Sequence, residues 1–258
     1  MKKKTIVLVR KPSPLLVQCE LTHIKRETID FPKLLDQHTR YVEALTQLGC
    51  QVKYLPDLNQ SPDGVFAEDT AFVLDEVAVI TRPGAVSRQS EVTSVDQALQ
   101  AFRKEIHRIT APGTVDGGDI LKVEKNIYIG LSTRTNEEGI KQMRNYLSPH
   151  GYQVKAVSVP LCLHLKTGVS YLGKNHLLIN PEWVEAGMFP EFTKIKIDPG
   201  ESFGANVLVI DDKVFITASA PETSKKLKQA GFTLIKLDIS ELARAEAGLT
   251  CLSLVFKE

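Results

Sequence analysis

The stretch GDILKVEKNIYIGLS, residues 118–132, is an apolar run, a short polar break at Glu124-Lys125-Asn126, and a second apolar run. That order predicts a β-hairpin. The pattern recurs. EDTAFVLDEVAVITR (68–82) breaks at Asp75-Glu76, TGVSYLGKNHLLIN (167–180) at Gly173-Lys174-Asn175, and ANVLVIDDKVFITA (205–218) at Asp211-Asp212-Lys213. Internal repetition on this scale decides an architecture before any single residue does.

A helical stretch and then another short strand follow each hairpin. The helical stretches are SEVTSVDQALQAF (90–102), NEEGIKQMRNYL (136–147), the short PEWVEAGMF (181–189) and PETSKKLKQAGF (221–232). The strands after them are HRITAP (107–112), YQVKAVSV (152–159), TKIKID (193–198) and TLIKLD (233–238). A fifth unit is split across the ends. TCLSLVF (250–256) and KTIVLVR (4–10) supply its hairpin, and QVKYLP (51–56) its last strand. Its helix (32–49) carries Leu34, Leu35, Tyr41, Val42, Leu45 and Leu48 on one side, as an amphipathic helix should. Five strand-strand-helix-strand units, spaced by roughly 40–50 residues, then make one α/β domain of residues 1–258, a ring closed by pairing the terminal strands. The first strand of each unit would line the centre. A generic α+β sandwich is the alternative the pattern leaves open.

The composition is that of an ordinary globular chain: 258 residues, 43% hydrophobic, 24% charged, net charge +1. A balance so near zero argues against nucleic-acid binding and against bulk attraction to membranes. No run approaches the ~18 apolar residues of a membrane span. MKKKTIVLV begins like a signal peptide, but Arg10 and Lys11 end its apolar run, so it reads as a first strand and the expected location is the cytoplasm. Cys19, Cys50, Cys162 and Cys251 show neither a CxxC nor a paired framework. Free thiols are expected, and no structural zinc.

Polar residues cluster where the inner strands begin. They are Asp63, Glu68 and Asp69 in unit one, Asp116 and Asp119 in unit two, His164 in unit three, Asn206 in unit four and Cys251 in unit five. Rotation of equivalent units would bring them to one cavity. Taken singly, Cys251 on a final strand alternating with Leu252, Leu254 and Phe256 reads as a small hydrophobe. His164, alternating with Leu163 and Leu165, reads as structural. Together a thiol and an imidazole offer a nucleophile and a proton carrier. Several carboxylates in one cavity would repel one another and raise the thiol pKa unless a cation joined them. A planar guanidinium suits carboxylates well. Arg82 and Arg134, each at the end of a second strand, could aim at one anion such as a substrate carboxylate.

PDGVFAED, ITRPGA, DGGDI, IGLSTRTNEEG, LHLKTG and GLTCLSL together resemble the dimethylarginine dimethylaminohydrolases of the pentein, or guanidine-modifying, superfamily. The likeness runs in order over nearly the whole chain. It implies a five-bladed α/β propeller. It also implies Cys251 as nucleophile, His164 as general acid/base, and Asp116 orienting the imidazole and binding the guanidinium. Glu68 and Asp69 would line the guanidinium pocket beside Phe66, with Asp63 also in the substrate site. Arg82 and Arg134 would hold the α-carboxylate, and Leu21 falls at a mobile lid position. The implied reaction hydrolyses methylated arginines to citrulline through a thiouronium on the cysteine, with no metal or organic cofactor. The partner would be a small guanidino amino acid, with no nucleic acid and no membrane; a homodimer is only the base-rate expectation. One departure is Glu246–Ala247, where the family often has Asp-Gly and the Asp helps hold the substrate α-amino group. Two other readings are another guanidine-modifying enzyme, arginine deiminase-like or amidino-transferring, and a non-catalytic propeller that binds guanidino ligands.

Overall fold

The structure, a computed structural model, describes residues 3–258. Its strands are β1 (Thr5–Val9), β2 (Gln51–Tyr54), β3 (Ala71–Val73), β4 (Val77–Ile80), β5 (Glu105–Arg108), β6 (Ile120–Val123), β7 (Asn126–Leu131), β8 (Gln153–Ser158), β9 (Val169–Gly173), β10 (His176–Ile179), β11 (Thr193–Lys196), β12 (Leu208–Ile210), β13 (Lys213–Thr217), β14 (Thr233–Leu237) and β15 (Ser253–Lys257). They pair as three-stranded sheets β3-β4-β5, β6-β7-β8, β9-β10-β11, β12-β13-β14 and β15-β1-β2. In each sheet the first two strands are antiparallel and the last two parallel. The split unit is paired from Thr5↔Lys257 to Val9↔Ser253.

Parallel neighbours need a crossover, and helices supply it. The helices are α1 (Phe31–Gln47), α2 (Val92–Leu99), α3 (Glu137–Leu147), α4 (Leu165–Gly168), α5 (Pro221–Gln229) and α6 (Ser240–Ala243); α1, α2, α3 and α5 are the crossovers, while α4 and α6 precede β9 and β15. Asp30 caps α1 by accepting from Lys33 N–H, and Asn136 caps α3 by accepting from Gly139 N–H. In the third unit PEWVEAGMF yields only a short 3-10 turn at Ala186–Met188. Two short helices, α4 and α6, have no counterpart in the sequence reading; each is a single turn, too brief for a periodic signal.

The middle strands β1, β4, β7, β10 and β13 are buried along nearly their whole length. The reason lies in where alternate side chains go. Ile6 and Leu8 of β1 join Ala78 and Ile80 of β4 in one apolar cluster, whereas Val7 and Val9 join Leu208 and Phe215 of the fourth sheet. Val77 and Val79 meet Ile127 and Ile129. Tyr128 meets Leu177 and Ile179. Leu178 meets Val214 and Ile216. Each cluster fills the gap between two successive sheets, and the fifth gap returns to the first sheet. The result is an α/β propeller of five blades. The first strands β3, β6, β9, β12 and β15 all contribute to one central channel. Among the described residues no helix is long and apolar enough to cross a membrane.

Leu177 and Leu178 are neighbours in sequence, both fully buried, and serve different clusters. Each Leu→Ala change is expected to destabilise by about 2–5 kcal/mol. Because the clusters differ, the double substitution should equal the sum to within about 0.5 kcal/mol in urea unfolding. A larger coupling energy would contradict the two-sided packing.

Candidate active site

At one end of the channel each unit grips the next through a buried polar side chain. Asp69, in the 3-10 turn Ala67–Thr70, accepts from Gly118 N–H at 2.9 Å. Asp119 accepts from Leu165 N–H at 2.9 Å. Ser170 Oγ accepts from Val207 N–H at 3.2 Å. Asn206 Oδ1 accepts from Thr250 N–H at 3.1 Å, and Thr250 Oγ1 donates to Glu68 Oε2, back in the first unit, at 2.7 Å. The two glycines of DGGD are required by this crowding. A Cβ on Gly118 would lie 2.5 Å from His164 Nδ1, and one on Gly117 would overlap the Glu68 carbonyl.

Inside that ring lies a cleft lined by Glu20, Asp63, Phe66, Asp69, Arg88, Asp116, Arg134, Leu163, His164, Ala245, Glu246, Ala247 and Cys251. Neither Cys251 nor His164 sits on a strand. Cys251 occupies the 3-10 turn Thr250–Leu252, and His164 stands immediately before α4. Leu252 accordingly packs in a different cluster from Leu254 and Phe256, so the alternating face read from the sequence begins only at Ser253.

His164 Nε2–H donates to Asp116 Oδ2 at 3.0 Å. Asp116 is itself held by Gly84 N–H at 2.8 Å on its other oxygen. Burial pushes the imidazole down, but Asp69 and the hydrogen-bonded Asp116 outweigh it and raise His164 to about 9. The ring is therefore an imidazolium at neutral pH. Part of Cys251 faces the open cleft, yet burial of the thiol, with Glu68 and Asp69 nearby, pushes it up to about 12; the Gly248 N–H directed at Sγ (3.4 Å) and Lys166 only oppose this. The resting pair is a neutral thiol and a charged imidazole.

The carboxylates are less naked than repulsion alone suggested. Glu68 accepts from Lys166 Nζ at 2.5 Å and from Thr250, and it borders the central channel rather than the cleft. The Glu68–Lys166 pair thus forms a floor between the two. Asp69 is paired at 2.7 Å with buried Arg88, which also bonds Glu91 and the Phe66 carbonyl. Against its own burial, Asp69 is held below the usual carboxylate range by His164 and Arg88. Asp63 accepts from Glu20 N–H at 3.2 Å, and Glu246 from Thr22 and His23 N–H at 2.7 and 3.0 Å. Leu21 is half-buried against the cluster that contains Phe66 and Cys251.

Two of the expected residues do not line this cleft. Arg82 is not in the cleft: its backbone bridges to Val115 and its guanidinium donates to the Gly113 carbonyl. Arg88, six residues on, takes the place beside Arg134. Its only sequence signal was an Arg-Glu pair three apart, which reads as a solvated surface pair. Glu68, expected in the guanidinium pocket, belongs to the floor. Asp69, Asp116 and His164 bring ligand atoms within 4.8 Å of one another. With the imidazole protonated and Arg88 already on Asp69, that set suits an organic cation sharing hydrogen bonds better than a metal ion.

The sequence matches the family described as "N,N dimethylarginine dimethylhydrolase, eukaryotic" over residues 20–187. It is 38% identical to an N(G),N(G)-dimethylarginine dimethylaminohydrolase of Pseudomonas aeruginosa, covering 97% of this chain and 98% of that one. A protein of the same description from Streptomyces coelicolor is 37% identical, over 97% and 96% of the two chains. The solved structure of a cysteine-to-serine mutant of the Pseudomonas aeruginosa protein complexed with citrulline superposes with a TM-score of 0.94 at 37% identity, over 99% of this chain and all of that one.

An NMR titration of the His164 ring in the ligand-free protein is expected to give a midpoint near 9. Asp69→Asn should move it down, toward the ordinary value of about 6.5. The stability this charge adds is fully present below about 6.5 and is lost as pH rises through the folded-state midpoint. A midpoint at or below the ordinary value would refute the geometry's electrostatic account.

Proposed function

The chain belongs to the dimethylarginine dimethylaminohydrolase family, and we propose that it hydrolyses dimethylarginine and monomethylarginine to citrulline plus dimethylamine or methylamine, with Cys251 as nucleophile. The observation that carries this reading is one cleft holding a thiol, an imidazole bonded to a carboxylate, and both acidic and basic partners for a guanidino amino acid. Asp69 and Asp116 face the guanidinium end, beside Phe66. Arg134 and Arg88 are the cations available to an α-carboxylate, and Asp63 the acceptor for an α-amino group.

The resting charges suggest the sequence of events. Carboxylates help to hold the proton on Cys251 while the cleft is empty. An arriving guanidinium compensates them, so the thiol releases its proton to solvent more readily. The thiolate adds to the guanidinium carbon. The C–N bond to the methylated nitrogen then breaks as the His164 imidazolium hands its proton to the leaving amine, which leaves a thiouronium on sulfur. Neutral His164 next takes a proton from water. The hydroxide adds to the same carbon, and the C–S bond breaks as the added hydroxyl passes its proton to the departing sulfur, giving citrulline and the Cys251 thiol. His164 ends protonated, as it began.

The test is turnover of dimethylarginine, monomethylarginine, arginine and agmatine, each read as ureido product. Methylarginines should be used and agmatine should not; the reverse would sink the substrate assignment. Cys251→Ser should abolish turnover. Arg134→Ala should raise KM roughly tenfold with a smaller effect on kcat, whereas Arg82→Ala should leave KM unchanged. In kcat/KM, which reports the free enzyme, activity should fall as pH passes about 9 and His164 loses its proton.

A further inference from the structure

Residues 19–30 contain no helix or strand, and Thr22, His23, Lys25 and Arg26 are exposed. This strap runs beside the cleft, and three cleft residues hold it. Asp63 accepts from Glu20 N–H, Arg134 Nη2 donates to Thr22 Oγ1 at 2.9 Å, and Glu246 accepts from two consecutive amides with its two carboxylate oxygens. On the far side of Glu246 lies a second groove lined by His23, Ile24, Leu161, Leu163, Trp183 and Phe203, so the strap and Glu246 divide the two.

The backbone at Glu246 is unusual. Its N–H donates to the Ala243 carbonyl, and the Ala247 N–H to the Leu242 carbonyl. With a φ of 56° at Glu246, this is the Schellman end of helix α6, and Glu246 holds the left-handed position that glycine normally fills. A side chain in that position is disfavoured unless it does something there. Here it aims an anion at two amide donors.

We propose that Glu246 is a positioning residue: it latches the strap across the cleft and thereby aligns Asp63 and Arg134 for the amino-acid end of the substrate, rather than binding the α-amino group itself. The proposal rests on the substrate reading above for its kinetic part only. Both carboxylate oxygens are committed to Thr22 and His23, while Asp63 and Arg134 each share one contact with the strap. Loosening the strap therefore disturbs two recognition residues at once.

Trypsin reads the latch directly, because Lys25 and Arg26 lie on the strap. Glu246→Gly removes the carboxylate and relieves the backbone, so folding is retained. Glu246→Gln keeps one acceptor and replaces the other with a donor. Loss of a charge-assisted acceptor pair should raise cleavage after Lys25 or Arg26 roughly tenfold in the glycine variant, with an intermediate rate in the glutamine variant and no drop in Tm. Unchanged cleavage would overturn the proposal. The second measurement compares KM for monomethylarginine with that for 5-(N′-methylguanidino)pentanoate, which keeps the carboxylate but lacks the α-amino group. A latch predicts a KM increase on both, smaller for the pentanoate, which has no amino group for Asp63 to hold. An increase confined to monomethylarginine would make Glu246 a direct amino ligand and would also overturn the proposal. If the wild-type protein turns over neither compound, the substrate reading fails, and the cleavage result still decides the latch.

Discussion

The cleft depends on the closed circuit of buried hydrogen bonds at the hub. Asp69, Asp119, Ser170 and Asn206 each accept an amide of the following unit, and Thr250 completes the circuit through Glu68. A buried carboxylate or amide left unpaired would be destabilising by more than a neutral bond is worth. Each member is thus held by the requirement to satisfy its neighbour. The turns that carry Cys251 and His164 are short and have no regular pairing of their own. Their positions follow from Asn206 gripping one and Asp119 the other.

Electrostatics and geometry are coupled at the same place. The carboxylates that lock the hub also set the proton affinities of the two reactive groups. Asp69 holds Gly118, pairs with Arg88 and raises His164, so one side chain acts on fold, cleft and imidazole at once. Lys166 compensates Glu68 beneath the thiol. Without it, Glu68 would be a buried anion with only a hydroxyl for partner, and the thiol would be held protonated more firmly still.

The hairpins were legible because their two apolar runs are interrupted at polar breaks, and Glu124 and Asp211 do turn there with positive φ. The middle strands, apolar through their centres, gave no alternation because they have no solvent face there; DGGDI and GLTCLSL marked the hub through composition. What escaped was set by contacts too short in sequence or too long in space to leave a period. His164 and Cys251 looked like strand residues because three or four alternating positions cannot be told from one turn of 3-10 helix. Arg82 drew notice because it ends the second strand, whereas Arg88 is placed only by its tertiary partners Asp69 and Phe66. The role of Glu246 depended on a backbone angle no residue type announces.

The alternation of side chains along the middle strands has a further effect. In an open stack of repeats, the end units have one neighbour and fray first. Here every blade shares apolar clusters with two others, so detaching any blade exposes two interfaces. No blade is the weak end, and the strap is anchored to one cluster at Cys19, Leu21 and Ile29 while its middle, residues 22–28, stands outside them all. Opening of that middle stretch would break no hub contact, so the turns that carry Cys251 and His164 would stay held.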